Sequence, residues 1–249
     1  MAVAGFIRQA SRAMLHGVSF WGCSTTKTDA FAGDFVVKAP EKREWVRTGT
    51  VDGIMNWSGD DAIDMAVAGR SLAPAAPTRL SAAGAHDPTP TPYRVLDDLV
   101  GGMGLDEGSH LLDVGCGLGR VLAYFVAADC PGRATGIELD EQLAAAAAEW
   151  SIPYDRISVE AGDVLEMPLA PYTHIYMYNP FDTRVLVAFL DKLEREARSP
   201  VKVAHMADNG EWIAYMGRNG WNLLREGTFE QAGADCPQHF SVRVYDPGA

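Results

Sequence analysis

From about residue 90 onward, short apolar runs of strand length alternate with helical stretches, and no other feature constrains the fold as tightly. Strands are expected at 110–114, 133–138, 156–160, 173–178 and 201–206. Helices are expected at 92–103, 119–128, 140–149, 182–198 and 210–219. Repeated strand–helix–strand units imply a largely parallel sheet with helices on both faces. The last two strands, near 221–230 and 239–245, are joined by too short a segment for a crossover helix, so they pair antiparallel. The expected fold is α/β: a seven-stranded, mostly parallel sheet with an antiparallel C-terminal hairpin, plus an N-terminal extension.

The chain divides near residue 90 into an N-terminal extension, 1–90, and the α/β part, 91–249. Pro74, Pro77, Pro88, Pro90 and Pro92 forbid regular helix in the stretch before the division, which reads as an extended connector. The segment WSGDDAIDMAVAG, from Trp57, suits a short helix capped by Ser58. Val3, Phe6, Ile7, Ala10, Met14 and Leu15 recur at helical spacing, and Arg8 and Arg12 break the apolar run that a secretory signal needs. The first residues therefore read as an amphipathic helix packed on the body, or as a homodimer contact, in a cytoplasmic protein.

Cys23, Cys116, Cys130 and Cys236 show no metal-ligand spacing, so no metal is expected and the thiols read as reduced. No apolar run approaches the roughly 18 residues that span a bilayer, so no membrane partner is expected. The formal charge is −12, with +3 on residues 1–50 and −15 on the rest. An acidic body argues against a nucleic-acid partner held by phosphate neutralisation and favours a small-molecule or peptide acceptor.

HLLDVGCGLGRVLAYF, residues 110–125, is the densest chemical signal. A strand ends at Asp113, and Gly115, Gly117 and Gly119 precede an amphipathic helix. Glycines at such a turn let the backbone approach a ligand, and the helix N-terminus offers unpaired N–H groups. The dinucleotide fingerprint needs glycine where this chain has Arg120, and no P-loop lysine follows. The next strand ends at Glu138, placed to accept hydrogen bonds from ribose hydroxyls. The competing role, capping the following helix, is assigned to Asp140.

LLDVGCGLGR, GIELD and AGDVLEMPL, in this order and spacing, resemble the three cofactor motifs of class I S-adenosylmethionine-dependent methyltransferases. The resemblance covers roughly residues 90–245 and implies a Rossmann-like sheet with S-adenosyl-L-methionine as cofactor. In that family the glycine loop holds the methionine portion, which implicates Asp113, Gly115, Cys116, Gly117, Gly119 and Arg120. The family's ribose-binding acid corresponds to Glu138, followed by Leu139. Its adenine-binding acid corresponds to Asp163, followed by Val164, just past a strand's carboxyl end where open α/β sheets bind ligands.

The strand THIYMYNPFD ends in Asn179, Pro180 and Phe181. This tripeptide resembles the [DNS]PP[YFW] signature of amino-group methyltransferases, one proline short. The resemblance makes Asn179 a catalytic and cofactor-contacting residue beside the transferable methyl, and makes Tyr178, Pro180 and Phe181 the wall of the substrate pocket. A rigid turn capped by Asp182 explains Pro180 and Asp182 equally well, but not Asn179. With TPYRVLDDL and GLGRVL, the NPF turn looks closer to a bacterial group related to lysine methyltransferases of the Dot1 and mitochondrial type. Tyr176 and Tyr178 share one sheet face, as core or as pocket wall. His205 is the first candidate for a general base, with Asp208 and Asp182 as others; His16, His86 and His239 show no evident partner.

The expected activity is methyl transfer from S-adenosylmethionine to a nitrogen or oxygen nucleophile of a small molecule or peptide, by in-line displacement. Residues 1–90 would supply a lid, with Trp21, Phe31, Phe35, Trp45 and Trp57 as wall or core. The alternatives are a protein lysine N-methyltransferase, a non-catalytic cofactor-binding regulatory subunit, and an NAD(P)-dependent oxidoreductase, against which Arg120 argues.

Overall fold

Strands β1 (His110–Val114) and β4 (His174–Tyr178) are apolar on both faces and lie side by side inside a seven-stranded sheet. Runs buried on both sides are the mark of a parallel sheet covered by helices. The computed structural model describes residues 59–73, 77–207, 210–229 and 237–249. The other strands are β2 (Arg133–Glu138), β3 (Ile157–Ala161), β5 (Val201–Met206), β6 (Trp221–Phe229) and β7 (Gln238–Tyr245). Their order is β3-β2-β1-β4-β5-β7-β6. Strands β1 to β5 run parallel; β7 is antiparallel to both β5 and β6, which leaves β6 at the edge. The chain leaves β1 toward one edge and returns beside it as β4. A crevice therefore opens at the carboxyl ends of these two strands.

Period-2 alternation splits the strand residues between two cores. Leu111, Tyr176 and Ala204 face one, with helices α1 (Asp60–Ala68), α2 (Tyr93–Leu99) and α3 (Arg120–Ala127). Leu112, Ile175 and Val203 face the other, against Leu186, Phe189, Leu190 and Leu193 of α5 (Thr183–Glu196). Those four positions follow helical spacing, and Asp182 caps the helix by accepting the Val185 N–H at 2.9 Å. Helix α4 (Glu141–Ser151) is capped in the same way by Asp140, as its spacing anticipates.

Three helical expectations change. The segment expected at 92–103 stops as α2 at Leu99 and continues as a 3-10 turn, Gly101–Met103, where paired glycines weaken the helix. The helix expected at 210–219 is a 3-10 turn, Glu211–Tyr215, among Gly210, Gly217 and Gly220. Helix α1 starts after Gly59, and the expected cap, Ser58, lies outside the described residues. So do the amphipathic segment at the start of the chain and Trp21, Phe31, Phe35, Trp45 and Trp57.

Ile63 and Val67 of α1 and Leu72 beyond it belong to the same core as Leu96 and Leu122. Asp64 fixes that contact. Its fully buried carboxylate accepts from Arg120 Nη2 at 2.6 Å, Arg120 Nε at 3.2 Å, the Tyr93 hydroxyl at 2.7 Å and the Leu72 N–H at 2.9 Å. Asp60 accepts a weaker bond from Arg120 at 3.4 Å, and the guanidinium lies over the Tyr93 ring. Burial, then the Asp64 charge, push the Tyr93 hydroxyl well above its ordinary range. Arg120 is the first residue of α3, where a cation opposes the helix dipole; the Asp64 carboxylate compensates it.

His205 lies within β5, 1% exposed, 3.2 Å from the Tyr215 hydroxyl through Nδ1. Burial, with the Arg243 charge second, lowers its pKa to about 3; burial and Lys202 lower that of His174 to about 4.

Asp64→Ala leaves a buried guanidinium with only the 3.4 Å contact to Asp60, so urea unfolding is expected to show a loss of about 3–5 kcal/mol, most of it recovered in the apolar double variant Asp64→Leu, Arg120→Met. Both histidines bind protons more weakly folded than unfolded. Their neutral forms are fully favoured above the unfolded value near 6.5, and stability declines as pH falls from there toward 4, by up to about 1.4 kcal/mol per proton per pH unit. The urea midpoint should therefore drop between pH 7 and pH 5, and His205→Leu should flatten the drop.

Candidate functional site

A cavity of about 420 Å³ occupies the crevice at the carboxyl ends of β1 and β4. One wall is the glycine loop with the ends of β2 and β3; the other is the connector 78–90 with the β4–α5 turn. The loop folds back over β2, with Gly115 and Cys116 N–H both donating to the Ile137 carbonyl. Gly117 has φ of +55°, and a Cβ there would meet nothing closer than Pro88 at 3.9 Å, so a side chain would project into the cavity. Gly136 in β2 leaves the space that Cys116 fills, since a Cβ there would come within 2.7 Å of its sulfur.

Glu138 ends β2 and carries the geometry of the loop. Its Oε2 accepts the Gly117 N–H at 2.8 Å and its Oε1 the Asp140 N–H at 2.9 Å. The carboxylate is thereby locked at the cavity wall, with a second lone pair on each oxygen still able to accept. Asp163 follows β3, with Oδ1 held by the Leu165 N–H at 2.8 Å. Asp113 is 3% exposed, and its Oδ2 has no hydrogen-bond partner among the described residues. Burial, with the nearby Glu138 charge second, pushes its carboxyl well above the ordinary range.

The structure gathers Gly115, Cys116, Gly117, Glu138, Leu139, Asp163 and Val164 on one wall, and Tyr178, Pro180 and Phe181 on the other. Tyr176 points into the core instead, its hydroxyl 2.6 Å from that of Thr91. Four expected site residues do not line the cavity. Asp113 sits beneath the loop. A Cβ on Gly119 would strike the Trp150 ring at 2.9 Å, so this glycine serves the packing of α3 on α4. His205 is enclosed within β5 and does not reach the cavity, which removes it as a general base. Asn179 turns toward Glu211, with Nδ2 3.4 Å from Oε1. Arg120 does line the cavity, but its charge is committed to Asp64. Asp182 is occupied as a helix cap, and Asp208 lies outside the described residues.

Asn179 adopts φ of +37°, a region that asparagine tolerates better than most residues. Its Oδ1 and Glu211 Oε2 are buried with no hydrogen-bond partner among the described residues. The connector runs antiparallel to the turn after β4: His86 N–H donates to the Pro180 carbonyl at 3.0 Å, and Asp182 N–H to the Gly84 carbonyl at 2.9 Å. The His86 ring adds a bond from Nδ1 to the Asn179 carbonyl at 2.8 Å. Sequence reasoning expected a lid from residues 1–90 but missed that this stretch, and His86 in it, forms the wall. Its one signal is a histidine and an aspartate, His86 and Asp87, inside an otherwise inert Pro/Thr stretch.

No family model matches the chain, and no curated protein is a detectable relative. Solved structures do resemble it. An RNA methyltransferase from Salinibacter ruber, in complex with S-adenosyl-L-homocysteine, is 22% identical over 64% of this chain and 94% of its own, with a TM-score of 0.48. TrmN from Thermus thermophilus is 16% identical over 64% of this chain, with a TM-score of 0.54, and the chain spans about half (50%) of TrmN's length. The N-methyltransferase NodS from Bradyrhizobium japonicum WM9, also in complex with S-adenosyl-L-homocysteine, is 16% identical over 62% of this chain and 85% of its own, with a TM-score of 0.51. The strand order, the glycine turn after β1 and the likenesses to TrmN and NodS together show that the chain has the Rossmann-like fold of class I S-adenosylmethionine-dependent methyltransferases.

Proposed function

We propose that the chain is an S-adenosylmethionine-dependent methyltransferase acting on a nitrogen or oxygen nucleophile of a small molecule or peptide. The observation that carries the reading is the cavity at the switch point, with two carboxylates fixed at successive strand ends and the glycine loop after β1 beside them. Glu138 is oriented to accept from ribose hydroxyls. Asp163 has one oxygen held by backbone and the other left for the adenine amino group. The open space over Gly117 suits the polar end of the methionine portion. The cofactor supplies an electrophilic methyl group.

The work left to the protein is alignment and exclusion of water. Holding a nucleophile in line with the methyl carbon is worth about 7–11 kcal/mol. Phe181, 8% exposed, and Tyr178 and Pro180 beside it form the dry side of the pocket. The net charge of −12 favours a neutral or cationic acceptor over a polyanion. A cationic amine suits the same charge balance, which keeps a protein lysine side chain as the second reading.

Calorimetric titration is expected to give micromolar binding of S-adenosylmethionine and S-adenosylhomocysteine and none of NAD; binding of NAD alone would overturn the assignment. Glu138→Gln should weaken S-adenosylhomocysteine about tenfold to a hundredfold, the cost of losing charged hydrogen bonds. Asn179→Ala should leave that affinity within about twofold while slowing transfer.

A further inference from the structure

His86 is the cavity residue whose chemistry nothing above uses. It is half-buried in the connector and lines the cavity. Its backbone N–H and its ring Nδ1 both bond to the turn after β4, to the Pro180 and Asn179 carbonyls. A carbonyl oxygen only accepts, so Nδ1 carries the proton. In the neutral ring the lone pair is then on Nε2. No described residue hydrogen-bonds Nε2. An imidazole oriented through Nδ1 by a fixed acceptor, on a residue that lines a ligand cavity and with Nε2 unengaged by the described residues, is arranged as a general base.

The carboxylates on the same cavity are otherwise engaged. Both oxygens of Glu138 accept backbone N–H groups, Asp163 Oδ1 is held by Leu165, and Asp87 Oδ1 accepts the Thr78 N–H at 2.9 Å. The charged groups about this cavity are Asp87 on the same segment, Asp182 and Arg184 at the start of α5, Glu211 beyond Asn179, Glu138 and Asp163 on the opposite wall, and Arg120, paired to Asp64. Carboxylates are weaker bases than imidazole near neutral pH.

Building on the methyltransferase reading, we infer that His86 is the general base, its Nε2 taking the proton of the acceptor as the methyl group is transferred. The acceptor's N–H or O–H bond breaks as its heavy atom bonds the methyl carbon, and the carbon–sulfur bond breaks with its electron pair retained on sulfur. The proton passes to Nε2 and then to solvent. No oxidant or other co-reactant is required.

The test uses the full chain labelled with 15N-histidine, with S-adenosylhomocysteine bound. Long-range 1H–15N spectra, with His86 identified by its absence in His86→Asn, should show the Nδ1-protonated tautomer with the lone pair on Nε2. Diethyl pyrocarbonate should modify His86 and spare the buried His174 and His205. Asparagine can still donate from Nδ2 to the Asn179 carbonyl, so His86→Asn is expected to keep S-adenosylhomocysteine affinity. Transfer from S-adenosylmethionine to n-butylamine, phenol and water, read as S-adenosylhomocysteine formed, should fall by about 10²–10⁴-fold in the variant and lose its acid limb in the pH profile.

An Nε2-protonated tautomer, or a variant within about twofold of wild type with an unchanged pH profile, overturns the assignment. So does a wild type that binds cofactor yet transfers to none of the three probes at any pH. Failure of the wild type to bind S-adenosylhomocysteine at all would strike the cofactor reading instead.

Discussion

The Asp64 carboxylate is the interaction on which the rest of the site depends. It is fully buried, takes four hydrogen bonds, and its principal partner, Arg120, opens the helix that follows the glycine loop. A buried guanidinium without that anion would carry the full cost of its desolvation at the positive end of a helix. With it, α1, the start of α2 and the start of α3 are tied at one point. The same carboxylate holds the Leu72 N–H, so the chain leaves α1 in a fixed place before running to the cavity wall.

The parts of the structure that were legible in the sequence are those governed by local periodicity. Strands buried on both faces must be apolar throughout, and amphipathic helices repeat every three or four residues, so the sheet and α5 could be read directly. Glu138 and Asp163 were legible because a residue at a strand's carboxyl end has its position set by the sheet. His205 was misplaced for a related reason. The strand has its expected bounds, 201–206, and with Met206 paired to Phe240 beyond it the histidine remains inside the ladder rather than at its tip.

Long-range partners left no local trace. Arg120 reads from its neighbours as a glycine-loop residue facing the ligand, yet its charge is met by Asp64, 56 residues away. His86 lies in a stretch with no periodicity at all, and its partner at the end of β4 is 93 residues away. Proline content indicates correctly that such a stretch is not helical, but it says nothing about what the stretch covers. Gly119 shows the reverse case: a motif glycine whose nearest constraint is the Trp150 ring rather than the cavity.

The connector closes its side of the cavity with two backbone bonds to the turn after β4 and one from the His86 ring. The sheet behind it is held by continuous ladders. Two attachments of such different strength give the molecule two separate clocks. The sheet opens only with global unfolding, while a segment secured by so few bonds opens at the low end of the stability range and on its own time scale. The proline-rich strip is thus the side of the cavity expected to open first. The floor that fixes Glu138 and the glycine loop stays in register throughout, and each new occupant meets the same unaltered geometry.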